Sequence, residues 1–99
     1  FLSGQAALDP ETREVVSDDI QEQTVQTLKN LEGVLKAAGA SFANVVNMRV
    51  CLRDESDFQK FNIAFTDYMQ GEKVTRTCIG GRPHRAGVNV EIDCIAMFD

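Results

Sequence analysis

The 99-residue sequence contains no tryptophan, a single histidine and three cysteines. The scarcity of histidine and cysteine argues against two classes of protein, disulfide-stabilised proteins and zinc proteins. The cysteines, Cys51, Cys78 and Cys94, are odd in number and far apart, which argues against a disulfide framework. A reduced intracellular compartment is the simpler interpretation, so we expect a cytoplasmic protein, although the same reasoning fits a mitochondrial or other organelle matrix. With one histidine and no clustered cysteines, a zinc site is not expected.

Basic residues and long apolar runs are also scarce. Ten Lys and Arg stand against fifteen Asp and Glu, so the net charge is −5. Because nucleic-acid binding depends largely on neutralising phosphates, an acidic chain without a basic run is a poor candidate for it, and anionic membranes are disfavoured for the same reason. No apolar run approaches the length of a membrane span. The sequence begins at Phe1 with no initiator methionine, so we expect N-terminal residues to be missing.

Hydrophobic periodicity predicts one α+β domain over residues 1–99 with the element order ββαβαββ. Strands are expected at residues 1–7, 14–16, 45–52, 74–79 and 88–97. Asp19 and Glu22 form a capping-box-like start for the first helix, and Gly39 ends it. Ser56 and Gln59 are expected to form a second capping box. Both helices are predicted to pack on one face of a mixed sheet, and a second subunit could cover the other face.

Each predicted helix carries one apolar stripe at i+3/i+4 spacing. The stripe of the first helix consists of Ile20, Thr24, Leu28, Leu31, Leu35 and Ala38. The stripe of the second consists of Phe58, Phe61, Phe65, Tyr68 and Met69, and Gly71 ends that helix. On the last strand, Val88, Val90, Ile92, Cys94 and Ala96 share a face that belongs against the helices, because side chains alternate along a strand.

The last two strands suggest a place for chemistry. If they pair as an antiparallel hairpin centred between Pro83 and His84, Arg76 faces Glu91 on the sheet face turned away from the helices. One interpretation is a surface cross-strand ion pair worth about 0.2–1 kcal/mol. The other is a covered pocket, in which the guanidinium binds a substrate carboxylate bidentately and the carboxylate orients or deprotonates a water molecule.

Three further features have both a structural and a functional interpretation. Cys78 could be a thiolate nucleophile beside Arg76, but no histidine base is near it, so a pocket-lining cysteine is favoured. Asn62 lies on or beside the apolar stripe of the second helix, as a core amide or a ligand-facing one. Residues 80–85 could cradle an anion, although a flexible hairpin loop is the default interpretation. Gly4, between Ser3 and Gln5, permits a close backbone approach to a ligand or another chain.

Several short motifs follow one another along the chain. They are Phe1-Leu2-Ser3-Gly4-Gln5 with Leu8-Asp9-Pro10, Gln23-Thr24 through Leu35-Lys36-Ala37-Ala38-Gly39-Ala40, Val45-Val46 with Val50 and Leu52-Arg53-Asp54, and Phe58 with Phe61-Asn62. The most specific is Arg76-Thr77-Cys78-Ile79, followed at a matching distance by Val90-Glu91-Ile92-Asp93-Cys94-Ile95-Ala96. In their order and spacing these motifs resemble the YjgF/RidA family over essentially the whole chain.

The resemblance implies a chorismate-mutase-like α+β fold and a homotrimer with ligand sites between subunits. The implied activity is hydrolysis of enamine/imine acids such as 2-aminoacrylate or 2-iminopropanoate to 2-keto acids and ammonia, without a metal or organic cofactor. Arg76 would hold the substrate carboxylate and Glu91 would position the attacking water. The remaining site residues would be Ser3, Gly4, Asn62, Thr77 and Cys78.

The chain also departs from the family pattern. The usual upstream Gly-Pro-Tyr segment, part of an N-terminal strand, is absent, and Phe65 stands where many members have tyrosine. The family further suggests two other functions. One is an endoribonuclease or translation inhibitor, which the acidic composition disfavours. The other is a non-enzymatic small-carboxylate-binding or chaperone-like protein, which would need Arg76 but not Glu91.

Overall fold

A four-stranded mixed sheet with two helices on one face forms the structure, a computed structural model that describes residues 1–98. The elements in chain order are β1 (Leu2–Ala6), α1 (Ile20–Ala37), β2 (Val45–Leu52), α2 (Phe58–Met69), β3 (Thr75–Gly80) and β4 (Val90–Ala96). The predicted α+β class and the placement of both helices on one sheet face are therefore confirmed.

The strand order is β1-β4-β2-β3, with β2 parallel to β3 and antiparallel to β4. The predicted hairpin between the last two strands is wrong, because β2 lies between them. Met48, Val50 and Leu52 of β2 are at most 2% exposed, so this strand belongs in the middle of the sheet, where both its edges are paired. The chain after β3 must therefore cross over the end of β2 before β4 begins.

The crossover between β3 and β4 is anchored by side chains from elsewhere in the fold. The Arg53 guanidinium donates hydrogen bonds of 2.9–3.1 Å to three backbone carbonyl oxygens of this segment, those of Pro83, Arg85 and Val88. The Gln23 amide nitrogen donates to the carbonyl of Gly87 at 2.8 Å, and its Oε1 accepts from the backbone N–H of Asn89 at 2.8 Å. The segment is thus an anchored crossover, and the expected flexible hairpin loop is not found.

The predicted ends of α1, at Asp19 and Gly39, are confirmed, but the predicted capping box is only half formed, because the backbone N–H of Asp19 donates to Ser17 Oγ at 3.0 Å and not to Glu22. The start of α2 also differs from the prediction. The Asp19 carboxylate accepts from the backbone N–H of Glu22 at 2.9 Å, and Gly39 follows the helix with a φ of +79°. Before α2, the Asp54 carboxylate accepts from the N–H of Ser56 and caps a 3₁₀ turn at Glu55–Asp57. The predicted capping box of Ser56 is wrong, because Ser56 lies inside this 3₁₀ turn and α2 begins after Asp57 without a side-chain cap.

The expected strand at residues 14–16 is reduced to an isolated bridge between Leu8 and Val15. Asp9 is the reason, since its carboxylate accepts from the N–H groups of Glu11 and Thr12 at 2.8 and 3.1 Å. These residues form a turn and are therefore not available for further strand pairing next to the Leu8–Val15 bridge.

The core lies between the helices and the sheet. On β4, Val90, Ile92 and Cys94 are at most 2% exposed, and with the buried Val88 they form the predicted helix-facing row. Ala38, predicted on the α1 stripe, is exposed. Neither helix of the described chain is both long and apolar enough to cross a bilayer.

Candidate active site

Five of the seven predicted site residues lie in two separate groups, with Arg76, Asn62 and Cys78 in one and Gly4 and Glu91 in the other. Arg76 and Cys78 are level with the fully buried Met48 and Val50 on β2, which places them on the helix-facing side of the sheet. Glu91 is level with Cys51 on the opposite side. Strands β3 and β4 are two strand spacings apart, about 10 Å. The expectation that Arg76 faces Glu91 on one sheet face is therefore wrong within a single chain.

The first group surrounds the guanidinium of Arg76, which is half-buried on β3. Its Nη1 donates to the Asn62 Oδ1 at 2.9 Å. Its central carbon lies 4.8 Å from the ring centre of Phe65 and within 5.8 Å of those of Phe58 and Phe61. Among residues 1–98, no carboxylate forms a salt bridge with Arg76. A cation without an anionic neighbour, beside apolar walls, is suited to bind an anion from outside the chain.

Cys78 lies next to Arg76 on the same face and packs against the core. Burial raises the pKa of the Cys78 thiol, and this effect outweighs the opposing influence of the nearby Arg76 charge. The group is therefore a neutral thiol at pH 7, which is a weak nucleophile. This supports the pocket-lining interpretation over a catalytic thiolate. Thr77, the next predicted residue, is exposed on the opposite face of β3.

The second group lies where β1 meets β4. The half-buried carboxylate of Glu91 sits directly above the backbone of Gly4. Gly4 and Glu91 line a cavity of about 740 Å³, whose wall also includes the basic residues Arg13, Lys29, His84 and Arg85. Arg85 is already engaged, since it donates to the carbonyl of Arg13 at 2.7 Å and lies 3.6 Å from a carboxylate oxygen of Glu14.

Ser3 lines a second cavity of about 400 Å³, beside an ion pair in which the Nη2 of Arg49 is 3.0 Å from an Oδ2 of Asp93. Arg76 lines neither of these two cavities. Each group of predicted residues is thus an open half-site: a carboxylate and a glycine backbone in one place, a cation in the other.

The sheet face that carries Glu91 and Thr77 has no helix on it. Apolar side chains lie there beside polar ones, and Ile79 is 55% exposed. Within residues 1–98 no group of three or more His, Cys, Asp or Glu side chains is arranged to hold a metal ion.

Sequence reasoning did not identify the contact between Arg76 and the phenylalanines of α2. Their i, i+3 and i+7 spacing was interpreted only as a core stripe. The presence of three phenylalanines in one helical stripe was the available signal. When such a stripe packs over a strand that carries an arginine, the phenyl rings can bind the guanidinium through their faces. The strand order was needed to show that β3 is the strand beneath that part of α2.

Comparison with known proteins places this geometry in a family. The model of the family described as endoribonuclease L-PSP matches residues 1–98. A mouse 2-iminobutanoate/2-iminopropanoate deaminase is 39% identical over 97 residues, which are 98% of this chain and 72% of that protein. A RutC family protein of Pyrococcus horikoshii is 38% identical over 96 residues, which are 97% of this chain and 76% of that protein.

Solved structures show the same fold. E. coli TdcF with bound serine superposes with a TM-score of 0.90 at 29% identity, over 98% of this chain and 78% of that one. The YjgF protein of E. coli superposes with a TM-score of 0.87 at 28% identity, over 95% and 76% of the two chains. The chain therefore belongs to the endoribonuclease L-PSP family, the family of YjgF and RidA, as its motifs predicted.

Proposed function

We propose that this protein hydrolyses small 2-imino acids, such as 2-iminopropanoate and its enamine form 2-aminoacrylate, to 2-keto acids and ammonia. The observation that carries the proposal is Arg76, a half-buried cation that forms no salt bridge within residues 1–98. Family members named 2-iminobutanoate/2-iminopropanoate deaminases, 34–39% identical to this chain, support the reaction class.

Arg76 would bind the carboxylate of the substrate. One N–H of its Nη1 is used by Asn62, so the Nε–Nη2 edge stays free for a bidentate pair with a carboxylate. Because a fixed carboxylate also fixes the adjacent imine carbon, the reacting atom would be held at a defined distance from the attacking group.

Glu91 would position and deprotonate the water that attacks the imine carbon. Addition of water to the C=N bond gives a carbinolamine, and the carbon–nitrogen bond then breaks to leave the 2-keto acid and ammonia. Imines hydrolyse in water unaided, so the demand on the protein is modest. A positioned acid or base adds about 10²–10⁴-fold in rate.

The proposed site is shared between copies of the chain. Arg76 and Glu91 lie on opposite sides of the sheet, so one small substrate cannot reach both side chains within one chain. A second copy packed on the helix-free face could bring its Arg76 to the Glu91 of the first. A homotrimer, which the family resemblance implies, supplies such an interface at each of its contacts.

The family description also contains the word endoribonuclease. The net charge of −5 opposes binding to a phosphate backbone, and the basic side chains of the larger cavity share its wall with the carboxylates of Asp9 and Glu91. RNA-degrading activity should therefore separate from the protein on repurification, while the deaminase activity should remain with it.

The decisive assay generates 2-iminopropanoate in situ with an amino-acid oxidase and traps the unreacted imine with semicarbazide. The parent protein should suppress the adduct. In Arg76→Ala two charge-assisted hydrogen bonds of about 1.5–3 kcal/mol each are lost, so kcat/KM should fall roughly 10²–10⁴-fold. Equal suppression by the parent and the variant would place the chemistry elsewhere. A protein that binds 2-ketobutyrate without turnover would be a carboxylate-binding protein instead.

Sharing of the site is tested by subunit mixing. Arg76→Ala and Glu91→Gln should each be inactive alone. In trimers assembled from an equal mixture of both, about a quarter of the interfaces would combine an intact Arg76 with an intact Glu91. Recovery of about a quarter of the parent activity is expected. No recovery, with mixed assembly verified by mass spectrometry, would contradict a shared site.

A further inference from the structure

The guanidinium of Arg76 is enclosed by three phenyl rings from α2. Phe65 is nearest, with its ring centre 4.8 Å from the guanidinium carbon, followed by Phe61 at 5.5 Å and Phe58 at 5.8 Å. Phe61 and Phe65 are buried, while Phe58 is 41% exposed at the outer end of the row. The rings therefore form a wall that closes on the core side and opens toward solvent.

This wall and Asn62 together restrict the orientation of the guanidinium. A cation is attracted to the face of an aromatic ring, and this attraction grows as water is removed. The hydrogen bond from Nη1 to Asn62 Oδ1 restricts rotation of the group in its own plane. An arginine side chain that is already ordered loses less conformational entropy when it binds its ligand.

We propose that Phe65, together with Phe58 and Phe61, is a positioning residue that holds Arg76 ready for a planar carboxylate. The inference rests on the proposed deaminase function, since it assigns to Arg76 the binding of the substrate carboxylate. The phenyl rings touch the arginine and not the reacting atoms, so they act on affinity through its orientation. They also exclude water from one side of the guanidinium, which strengthens its pairing with a carboxylate.

The test compares two buried phenylalanines that are equally exposed. Phe65 and Phe42 are each 7% exposed, but Phe42 packs against Tyr68 and, within residues 1–98, is not among the rings near the Arg76 guanidinium. Phe65→Leu and Phe42→Leu should destabilise the fold to a similar extent. Phe65→Tyr keeps the aromatic face and serves as the conservative variant.

Three readouts separate positioning from packing. First, Phe65→Leu should weaken the binding of 2-ketobutyrate by about tenfold, as expected for one partly desolvated cation–π contact. Second, KM should rise with kcat nearly unchanged, because the same arginine contact is made before and during the reaction. Third, the Nε–H resonance of Arg76 in proton–nitrogen NMR, assigned by its absence in Arg76→Lys, should change position in Phe65→Leu, because the nearest of the three rings no longer contributes its ring-current shift. Phe42→Leu should change none of these, and Phe65→Tyr should resemble the parent.

Two kinds of outcome would overturn the inference. If Phe65→Leu binds 2-ketobutyrate as the parent does, or if Phe42→Leu weakens binding equally, the rings serve only to pack the core. A failure of the proposed function can be distinguished from a failure of this inference. If the parent protein shows no deaminase activity, the proposed function falls and this inference falls with it. If Arg76→Ala keeps full deaminase activity, Arg76 does not bind the substrate, and the inference falls while the reaction class stands. If Arg76→Ala is inactive while Phe65→Leu matches the parent, only the inference falls.

Discussion

Gly4 and Glu91 are in direct contact across the β1–β4 pair: a Cβ atom added to Gly4 would lie 2.7 Å from the Oε1 of Glu91. There is no room for a side chain at residue 4, so the Glu91 carboxylate packs directly against the backbone of β1. Gly4 is therefore required by this close approach, and the position of the Glu91 carboxylate depends on the absence of a side chain at residue 4.

Gly4→Ala should reduce activity more than stability. The added methyl group must push the Glu91 carboxylate aside, and a displacement of about 1 Å in a catalytic group can cost up to about 10²-fold in rate. We expect kcat/KM to fall about 10- to 100-fold in the semicarbazide assay, with a change in unfolding free energy below about 1 kcal/mol because the carboxylate can rotate away. Full activity in Gly4→Ala would contradict a role for this contact.

Gly33→Ala is the matched control for that substitution. Gly33 lies within α1, and a Cβ added there meets no atom within 4 Å. Because alanine is favoured over glycine in helix interiors, this variant should gain about 0.5–1 kcal/mol of stability and keep the parent activity.

Gln23→Ala should destabilise the crossover between β3 and β4. Gln23 is fully buried, and the variant leaves the carbonyl of Gly87 and the N–H of Asn89 without their side-chain partner. We expect a loss of about 1–3 kcal/mol in unfolding free energy, measured by urea denaturation. Gln21→Ala, which removes a longer, exposed hydrogen bond from the same helix, should cost less than about 1 kcal/mol. Equal losses in both variants would contradict the anchoring role.

Tyr68 should ionise at unusually high pH. Burial, and then the hydrogen bond that its hydroxyl donates to Glu32 at 2.8 Å, raise the pKa of Tyr68 from its usual value of 10.0 to about 12. Since the folded-state pKa is the higher one, the stabilisation is present below pH 10 and is lost as the pH rises toward 12. With one tyrosine and no tryptophan, tyrosinate absorbance reports this residue alone. Glu32→Gln should lower the midpoint, and a parent midpoint near 10 would contradict the prediction.

Cys78→Ser should remain active. Burial raises the pKa of the Cys78 thiol, so little thiolate exists at neutral pH, and alkylation of the folded protein should be slow and should accelerate only at alkaline pH. Serine keeps a small polar group in the site, so kcat/KM should fall by less than about tenfold. Loss of an essential nucleophile would cost on the order of 10⁴–10⁶-fold instead.

Local pattern predicted the elements well where one strong signal acted alone. The stripe of α1 except Ala38, its cap at Asp19 and its stop at Gly39 are found in the structure. Before α2, Ser56 is not a cap, because its own backbone N–H donates to the Asp54 carboxylate that caps the preceding 3₁₀ turn. The segment at residues 14–16 failed for a related reason, because the hydrogen bonds of Asp9 shape the turn that precedes it.

The structure brings some of the predicted site residues together, but not in the predicted arrangement. Arg76, Asn62 and Cys78 do meet on one side of the sheet, and Gly4 meets Glu91 on the other. The error lay in the partner of β3: the short connection to β4 suggested a hairpin, whereas the apolar β2 takes the central place and pairs with both strands.

The sequence alone determined the two helices and the four strands of the sheet, the buried faces of the helices and of β4, and which family the motifs resemble. These properties are set by local periodicity and turn chemistry, which act over a few residues. Only the tertiary structure decided that β2 separates Arg76 from Glu91 and that Phe58, Phe61 and Phe65 surround the arginine. Backbone hydrogen bonds are alike for any pair of strands, so the choice among pairings depends on how all the buried faces pack together.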